Sequence, residues 1–300
     1  MSEDFYGIPV GTLESERLRL QFLADRGPRI VRLFLKGEPE NILAETPEAG
    51  WRNAYGDFRL YGGHRLWHAP EVPDLTSVPD NAGLEVEARE EGILLRQPPE
   101  KPTGIAKEIE ICLPARQNEV RLVHRLRNAG PRPVELAPWA ITQLPPGGQA
   151  ILPQFQGVLN DNPHRPNRSL VLWPGSQWDD TRLLLGREAF TISAEPGMQP
   201  FKVGYFNSQG WVAYQRAGIL FCKRFRPQVD RPHADLGCNV EVFAGPTFIE
   251  LETLGPLVSL RPGECAEHEE VWEIRLENTE NAVSGRILDE CFQICQQDLT

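Results

Sequence analysis

Four short runs of alternating apolar and polar residues follow one another between Leu84 and Asn128. Turn residues separate them at a spacing of about ten residues, and the runs are Leu84–Ala88, Gly92–Gln97, Ile105–Leu113 and Val120–Asn128. An alternation with a period of two turns one face of each strand towards a core. Repeated at this rhythm, the pattern predicts the antiparallel strands of a sandwich or barrel.

The composition fits such a fold and excludes several classes of function. The 27 prolines and 26 glycines are spread without a period, as turns between many short strands would require. The net charge of −11 argues against a nucleic-acid partner and a membrane surface, and suits neutral or cationic small molecules. No stretch approaches the roughly 18 apolar residues of a membrane span, and the acidic N-terminus lacks a signal pattern. We therefore expect a cytoplasmic protein.

The six cysteines point to neither a disulfide framework nor a metal centre. They show no Cys-x-x-Cys pair and no metal-type spacing, which predicts buried free thiols and no bound metal. These residues are Cys112, Cys222, Cys238, Cys265, Cys291 and Cys295.

Residues Phe248–Thr253 form another alternating run, and this one carries two carboxylates on one face. Ile249, Leu251 and Thr253 point to one side of the predicted strand, and Phe248, Glu250 and Glu252 to the other. On a solvated face the two carboxylates need no further explanation. On a concave face they would form an acid/base pair or a pair that binds hydroxyl groups.

A third carboxylate belongs to the preceding run, in which Glu241 shares a face with Asn239 and Phe243. If the two runs pair through a turn at residues 244–246, Glu241 lies near Glu250 or Glu252. Carboxylates gathered in this way raise the pKa of at least one of them, as a general base requires. We include Asp235, just before this run, among the candidate substrate-binding residues.

The stretch from Tyr61 to Glu71 concentrates polar and aromatic residues that could form a site. His64 and His68 would share one face of a helix and could bind a metal there, but Gly62, Gly63 and Pro70 argue against a helix. We interpret the stretch as an irregular, site-forming loop in which Arg65 donates hydrogen bonds and Trp67 offers a flat apolar face to a sugar. The alternative is a surface loop with a buried Trp67.

The C-terminal third carries a family resemblance. Leu251-Glu252-Thr253, followed by Leu260-Arg261-Pro262-Gly263-Glu264 and His268, resembles the ending of galactose-mutarotase-like proteins, the aldose 1-epimerase-like superfamily. The resemblance is to a divergent bacterial branch rather than to a true galactose mutarotase. It implies that Glu252 is the catalytic base. His64 and Arg65 match a sugar-binding segment of that family in position and residue type only.

One departure from the family concerns the general acid. The family carries a catalytic His in the strand after an Asn-containing turn, where this chain reads Pro138-Trp139-Ala140-Ile141-Thr142-Gln143-Leu144. A Trp cannot protonate the ring oxygen of a sugar, although Trp139 can stack on one. Lys202 and Lys223 are candidate ligand donors, with surface lysines as the alternative.

Together these features predict a single all-β domain over residues 1–300. We expect the large two-sheet antiparallel supersandwich that the resemblance implies, with a C-terminal helix at 282–296, where apolar residues recur at three and four. The first functional hypothesis is a carbohydrate-binding protein with aldose or aldose-phosphate 1-epimerase activity, using Glu252 as base and His64 as proton donor. The second is a non-catalytic carbohydrate-binding protein that has lost the general acid. Neither hypothesis requires a cofactor, and the oligomeric state is not encoded in these patterns.

Overall fold

The fold was analysed in a computed structural model, which describes residues 4–157, 162 and 164–276. The described residues contain no α-helix, and their strands are numbered here in chain order: β1 Asp4–Phe5, β2 Ile8–Glu14, β3 Leu18–Leu23, β4 Arg29–Leu35, β5 Glu45–Asn53, β6 Gly56–Gly62, β7 His64–Ala69, β8 Glu85–Arg89, β9 Gly92–Arg96, β10 Ile105–Cys112, β11 Glu119–Asn128, β12 Val134–Leu144, β13 Gln149–Pro153, β14 Val171–Leu172, β15 Leu183–Leu185, β16 Ala189–Ser193, β17 Phe201–Tyr205, β18 Trp211–Arg216, β19 Ile219–Phe225, β20 Val240–Ala244, β21 Ile249–Leu254, β22 Val258–Leu260 and β23 Cys265–Leu276.

These strands form two large antiparallel sheets and one small hairpin. The first sheet has the order β1-β2-β3-β4-β7-β12-β21-β20-β17-β14, with β22 also paired to β12. The second has the order β15-β16-β13-β18-β19-β23-β11-β10-β9-β8. The hairpin consists of β5 and β6. The alternating runs predicted a sandwich or barrel, and the two-sheet antiparallel sandwich that the resemblance implied is confirmed.

The core lies between the two sheets and is built from the inward-facing residue of every second position. Ile249 and Leu251 of β21 belong to it, as do Leu122 and Leu126 of β11 and Trp272 of β23. These side chains are at most 1% exposed. The alternation in the sequence thus reflects one buried and one outward face in each strand.

The four runs between residues 84 and 128 correspond to β8, β9, β10 and β11, which pair in that order as antiparallel neighbours. The irregular stretch around residues 145–180 contains β13, in the second sheet, and β14, in the first. It therefore crosses from one sheet to the other. The predicted helix at 282–296 lies outside the described residues.

The prediction of an irregular loop at residues 61–71 was wrong, because β7 occupies most of this stretch. Tyr61, Gly62 and Gly63 all have positive φ angles, so the chain turns sharply between β6 and β7. β7 then pairs with both β4 and β12 in the middle of the first sheet. Histidines take inward positions in β7, so this strand lacks the alternation of apolar and polar residues by which a strand is usually identified.

Within the described residues, no helix is long and apolar enough to cross a membrane.

Candidate functional site

The outer face of the first sheet carries a row of side chains across four adjacent strands. Arg65 of β7 lies opposite Ile141 of β12, Ile141 opposite Glu252 of β21, and Glu252 opposite Glu241 of β20. Neighbouring strands are about 4.8 Å apart, so the row spans about 14 Å. The predicted pairing that brings Glu241 next to Glu252 is confirmed.

Two flanking rows share this face. On one side, Gln143 lies opposite Glu250, Glu250 opposite Phe243, and Phe243 opposite Lys202. On the other side, Trp67 lies opposite Trp139, and their rings meet edge to face at 5.6 Å. We call the three rows together the acidic face, because three of the predicted carboxylates lie on it.

Lys202 is inserted between two of these carboxylates. Its Nζ lies 2.7 Å from Glu241 Oε2 and 3.0 Å from Glu252 Oε2. It also lies 4.6 Å from the ring centroid of Trp139 and 4.8 Å from that of Trp173. The ammonium therefore sits in a cage of two carboxylates and two indole rings, where both the ion pairs and the cation–π contacts favour its charged form.

Trp139 takes a second role through its indole N–H. Nε1 donates a 2.7 Å hydrogen bond to Oε2 of Glu252, the same oxygen that Lys202 contacts. Trp139 therefore stabilises the ionised form of Glu252.

Burial and charge shift the pKa values of this group in opposite directions. Glu241 and Glu252 are 0% exposed, and burial raises the pKa of Glu241 to about 9 against the opposing charge of Lys202. Burial also raises the pKa of Glu252. The charges of both carboxylates outweigh the burial of Lys202 and raise its pKa. One ammonium serves two carboxylates, so we assign one ion pair to the group and one proton to Glu241 at neutral pH.

Arg65 and Glu250 form the second ion pair of the acidic face. Nη2 of Arg65 lies 2.8 Å from Oε1 of Glu250, which also accepts a 2.9 Å bond from Gln143 Nε2. The guanidinium stacks 4.4 Å from the ring centroid of Trp67. Two of its donors, Nε and Nη1, are buried and make no hydrogen bond within the described part of the chain. The same holds for the acceptors Glu241 Oε1 and Glu252 Oε1.

The β5–β6 hairpin covers the end of the face where Trp67 lies. Trp51 and Phe58 of the hairpin contact the Trp67 ring at 6.4 and 5.5 Å between centroids. At the other end, the side chain of Lys202 is 14% exposed. Among the described residues, the Lys202 end is therefore the less covered end of the face.

Asp235, a candidate substrate-binding residue, lies at the edge of the group. Asp235 is half-buried, has a positive φ angle of 51° and precedes β20 in the chain. Its charge adds to the rise in the pKa of Glu241 and of Cys238, which places the carboxylate within electrostatic reach of both.

Two predicted residues lie elsewhere. His64 is on the inner face of β7 and is 0% exposed, edge to face with Trp272 at 4.8 Å. Lys223 is also 0% exposed, and its Nζ lies 2.9 Å from Glu270 Oε1 and 3.0 Å from the carbonyl oxygens of Ala140 and Leu251. Both side chains are inside the sandwich, so His64 cannot act as the proton donor for a molecule bound at Glu252.

The histidines inside the sandwich form a chain of hydrogen bonds whose direction can be assigned. Nδ1 of His124 lies 2.9 Å from the carbonyl oxygen of His268, which only accepts, so Nδ1 carries the proton. In the neutral ring, Nε2 of His124 then accepts from Nε2 of His64 at 2.7 Å. Nδ1 of His64 in turn accepts from the hydroxyl of Thr142 at 2.9 Å.

A metal is the other ligand class that this inner cluster suggests, since one ligand atom from each of His64, His124 and Glu270 lies within 4.8 Å of the others. Each group already has partners, however. The two rings bond to each other, and Glu270 accepts from Lys223, Thr253 and the indole of Trp272. Hydrogen bonds and one ion pair therefore satisfy this cluster, and we assign it to holding the two sheets together.

Sequence reasoning missed two members of the acidic face. Trp173 lies directly after β14 and reaches Lys202 from the edge of the sheet. Gln143 lies on β12 two positions from Ile141, on the same face, and this spacing in an alternating strand could have identified it. The contribution of Trp173 depends on the pairing of β14 with β17, which no local pattern indicates.

Solved structures with a similar fold are distant in sequence. A galactose mutarotase-like protein from Lactobacillus casei matches with a TM-score of 0.53 and 10% identity, covering 89% of this chain and 100% of that one. A galactose mutarotase related enzyme from Lactobacillus acidophilus matches with a TM-score of 0.53 and 10% identity, covering 91% of this chain and 100% of that one. A TPR-domain containing protein from Parabacteroides distasonis has a TM-score of 0.59 and 12% identity, with 93% of this chain matching 51% of that one.

No protein-family model matches the chain, and no curated protein matches its sequence. At identities of 10 to 12%, the similarity to the solved structures concerns the fold. Two large antiparallel sheets make up the described part of this chain, as the resemblance of residues 251–268 implied. This chain therefore has the galactose mutarotase-like fold, in a sequence that has diverged far from those structures.

Proposed function

We propose that this protein binds a carbohydrate on the acidic face of its first sheet. The observation that carries the proposal is the set of buried hydrogen-bonding atoms without partners in the described part of the chain. Nε and Nη1 of Arg65 are donors, whereas Oε1 of Glu241 and Oε1 of Glu252 are acceptors. Buried polar atoms of both kinds along one row suit a ligand whose groups both donate and accept.

Sugar hydroxyl groups meet this requirement, because each one donates one hydrogen bond and accepts others. The rings of Trp139 and Trp173 flank the same carboxylates, and aromatic rings beside polar groups are typical of sites that hold the C–H groups of a sugar ring. Pockets for small ligands combine aromatic walls with a few convergent polar groups in this way. The proposed ligand is therefore a monosaccharide or the end of a longer sugar.

A 1-epimerase is the second candidate, and the raised pKa of Glu241, at about 9, favours it. In that reaction Glu252 would take the proton of the anomeric hydroxyl while protonated Glu241 gives a proton to the ring oxygen. The bond between C1 and the ring oxygen then breaks, and closure on the other face of the aldehyde returns both protons. The two carboxyl groups would replace the missing histidine as an acid/base pair.

Binding without catalysis is the better supported of the two. Oε2 of Glu252 contacts both the indole N–H of Trp139 and the ammonium of Lys202, and these contacts oppose the rise in its pKa that burial causes. A catalytic base needs a free oxygen next to the anomeric hydroxyl, which leaves only Oε1 of Glu252 for this task.

Proton NMR of freshly dissolved α-anomers separates the two candidates. We expect several aldoses or aldose phosphates to show line broadening with the protein, at an unchanged rate of anomer equilibration. Accelerated equilibration that is lost in Glu252→Gln and Glu241→Gln would instead establish the epimerase. Glu135→Gln, which alters an exposed carboxylate on β12, is the matched control. Neither broadening nor acceleration with any sugar would contradict both candidates.

A further inference from the structure

The acidic face has more carboxylates than cations. Glu241, Glu250 and Glu252 lie on it, and Asp235 adds its charge at the edge. Among the described residues, Lys202 and Arg65 are the cations that contact these carboxylates. A site with this imbalance attracts positive charge, in particular where low-dielectric walls reduce screening.

Both cations are already engaged. Arg65 is paired with Glu250, and Lys202 is shared between Glu241 and Glu252. The lysine on the other side of the sheet, Lys223, is paired with Glu270 and bonded to two backbone carbonyls. Glu241 and Glu252 are therefore two buried carboxylates that face one ammonium.

The surplus negative charge belongs to buried carboxylates, each with an oxygen that has no hydrogen-bond donor. Glu241 and Glu252 are each 0% exposed, and Oε1 of each accepts no hydrogen bond within the described part of the chain. An unpaired carboxylate in such a position is costly, and it either takes up a proton or binds a cation. The pKa of Glu241, raised to about 9, is consistent with the first outcome in the free protein.

The walls of the site are also suited to a cation. The indole faces of Trp139 and Trp173 already hold the ammonium of Lys202 at 4.6 and 4.8 Å from their centroids. Aromatic faces next to carboxylates attract ammonium groups in preference to neutral hydroxyls. The same surfaces that stack on a sugar therefore favour one that carries a positive charge.

We propose that the preferred ligand is an amino sugar, whose protonated amino group binds Oε1 of Glu241 and Oε1 of Glu252 beside Lys202. This inference rests on the proposed function and specifies its ligand class. Two ammonium groups and two carboxylates would then alternate in one neutral cluster. The hydroxyl groups of the sugar would remain available to the free donors of Arg65.

Displacement of a proton distinguishes this mode of binding from simple hydrogen bonding. With its pKa raised to about 9, Glu241 holds a proton in the free protein at pH 7, and a bound ammonium would expel it. A neutral sugar would leave the proton in place, because it brings no charge.

Isothermal titration calorimetry can test the inference on the full chain. The probes are glucosamine, galactosamine and mannosamine, each compared with its parent hexose and with its N-acetyl derivative, which has the same skeleton without the charge. Titrations in two buffers with different ionisation enthalpies measure proton release. We expect at least one amino sugar to bind about tenfold or more tightly than its two neutral relatives, with release of up to one proton.

Glu241→Gln should abolish both the preference and the proton release, because it removes the surplus charge and keeps the shape of the side chain. Glu135→Gln should leave both unchanged. Equal affinity for the amino sugar and its parent hexose would overturn this inference and leave carbohydrate binding intact. Binding of the neutral hexoses alone would have the same meaning, and absence of binding by every probe would overturn both proposals.

Discussion

At the scale of single residues, Trp139 shows what a departure from a family pattern does. The sequence predicts that a Trp at this position cannot protonate a sugar, and that inference needs only the chemistry of the indole. The structure adds that the same indole N–H donates to Glu252. This contact depends on the register between β12 and β21 and on one rotamer, neither of which is encoded locally.

Trp139→Phe should destabilise the protein by about 1 to 3 kcal/mol, because a fully buried carboxylate loses a donor while the aromatic ring is kept. The ring can still flank Lys202, so we expect little loss of packing. Urea unfolding followed by circular dichroism measures the change in the free energy of unfolding.

The matched control for Trp139→Phe is Trp178→Phe. Trp178 is 70% exposed, so its replacement should change the free energy of unfolding by less than about 0.5 kcal/mol. Equal effects of the two substitutions would show that the bond between Trp139 and Glu252 contributes nothing to stability.

At the scale of secondary structure, the alternating runs predicted their strands well, whereas the polar strand β7 was not predicted. The run Ile105–Leu113 differs from β10 by one residue, and Val120–Asn128 differs from β11 by one residue. β7 was missed because His64 and His68 occupy inward positions that apolar residues usually fill. His64 can be buried because it finds partners on β11 and β12. Such partners come from distant parts of the chain.

Gly63 sets the start of β7, and its replacement by Ala should cost about 3 kcal/mol or more. Its φ angle is +63°, and a Cβ atom there would overlap the carbonyl oxygen of Ile30. The backbone of Gly63 also bonds to Ala44 and Gln143, so it cannot shift freely. The midpoint of urea unfolding measures the loss.

Gly263→Ala separates the two causes of this loss. Gly263 also has a positive φ angle, +87°, but a Cβ atom there would meet nothing within 4 Å. Its replacement should therefore cost only the backbone strain, about 1 to 2 kcal/mol. If Gly63→Ala were no worse than Gly263→Ala, close contact with β4 would not determine the position of β7.

At the scale of the whole molecule, the two sheets are held together by polar groups as well as by the apolar core. The ion pair of Lys223 and Glu270 joins β19 to β23, and the lysine also bonds to backbone carbonyls of β12 and β21 in the other sheet. His64 of the first sheet bonds to His124 of the second. Buried networks of this kind stabilise the fold only while every group stays in the protonation state that satisfies its hydrogen bonds.

Acid should therefore weaken the packing of the two sheets. Burial lowers the pKa of His64, His124 and His268, in the last case to about 3. Below the ordinary histidine pKa of about 6.5, the unfolded chain binds protons that the folded protein does not, so the free energy of unfolding falls as the pH falls.

The proton on Glu241 acts in the opposite direction, because its pKa is raised in the folded state and folding then takes up a proton. The three core imidazoles outnumber that proton, so the net change remains a loss. We expect about 1 to 3 kcal/mol per pH unit between about pH 6.5 and 5, measured by urea unfolding in a series of buffers.

His268→Gln should make this dependence on pH shallower, because it removes one of the groups that charge only on unfolding. His164→Gln, at an exposed position, should leave the dependence unchanged. A free energy of unfolding that stays constant or rises as the pH falls from 6.5 to 5 would show that these imidazoles are already charged or solvated in the folded protein. The two sheets would then depend on the apolar core alone for their packing.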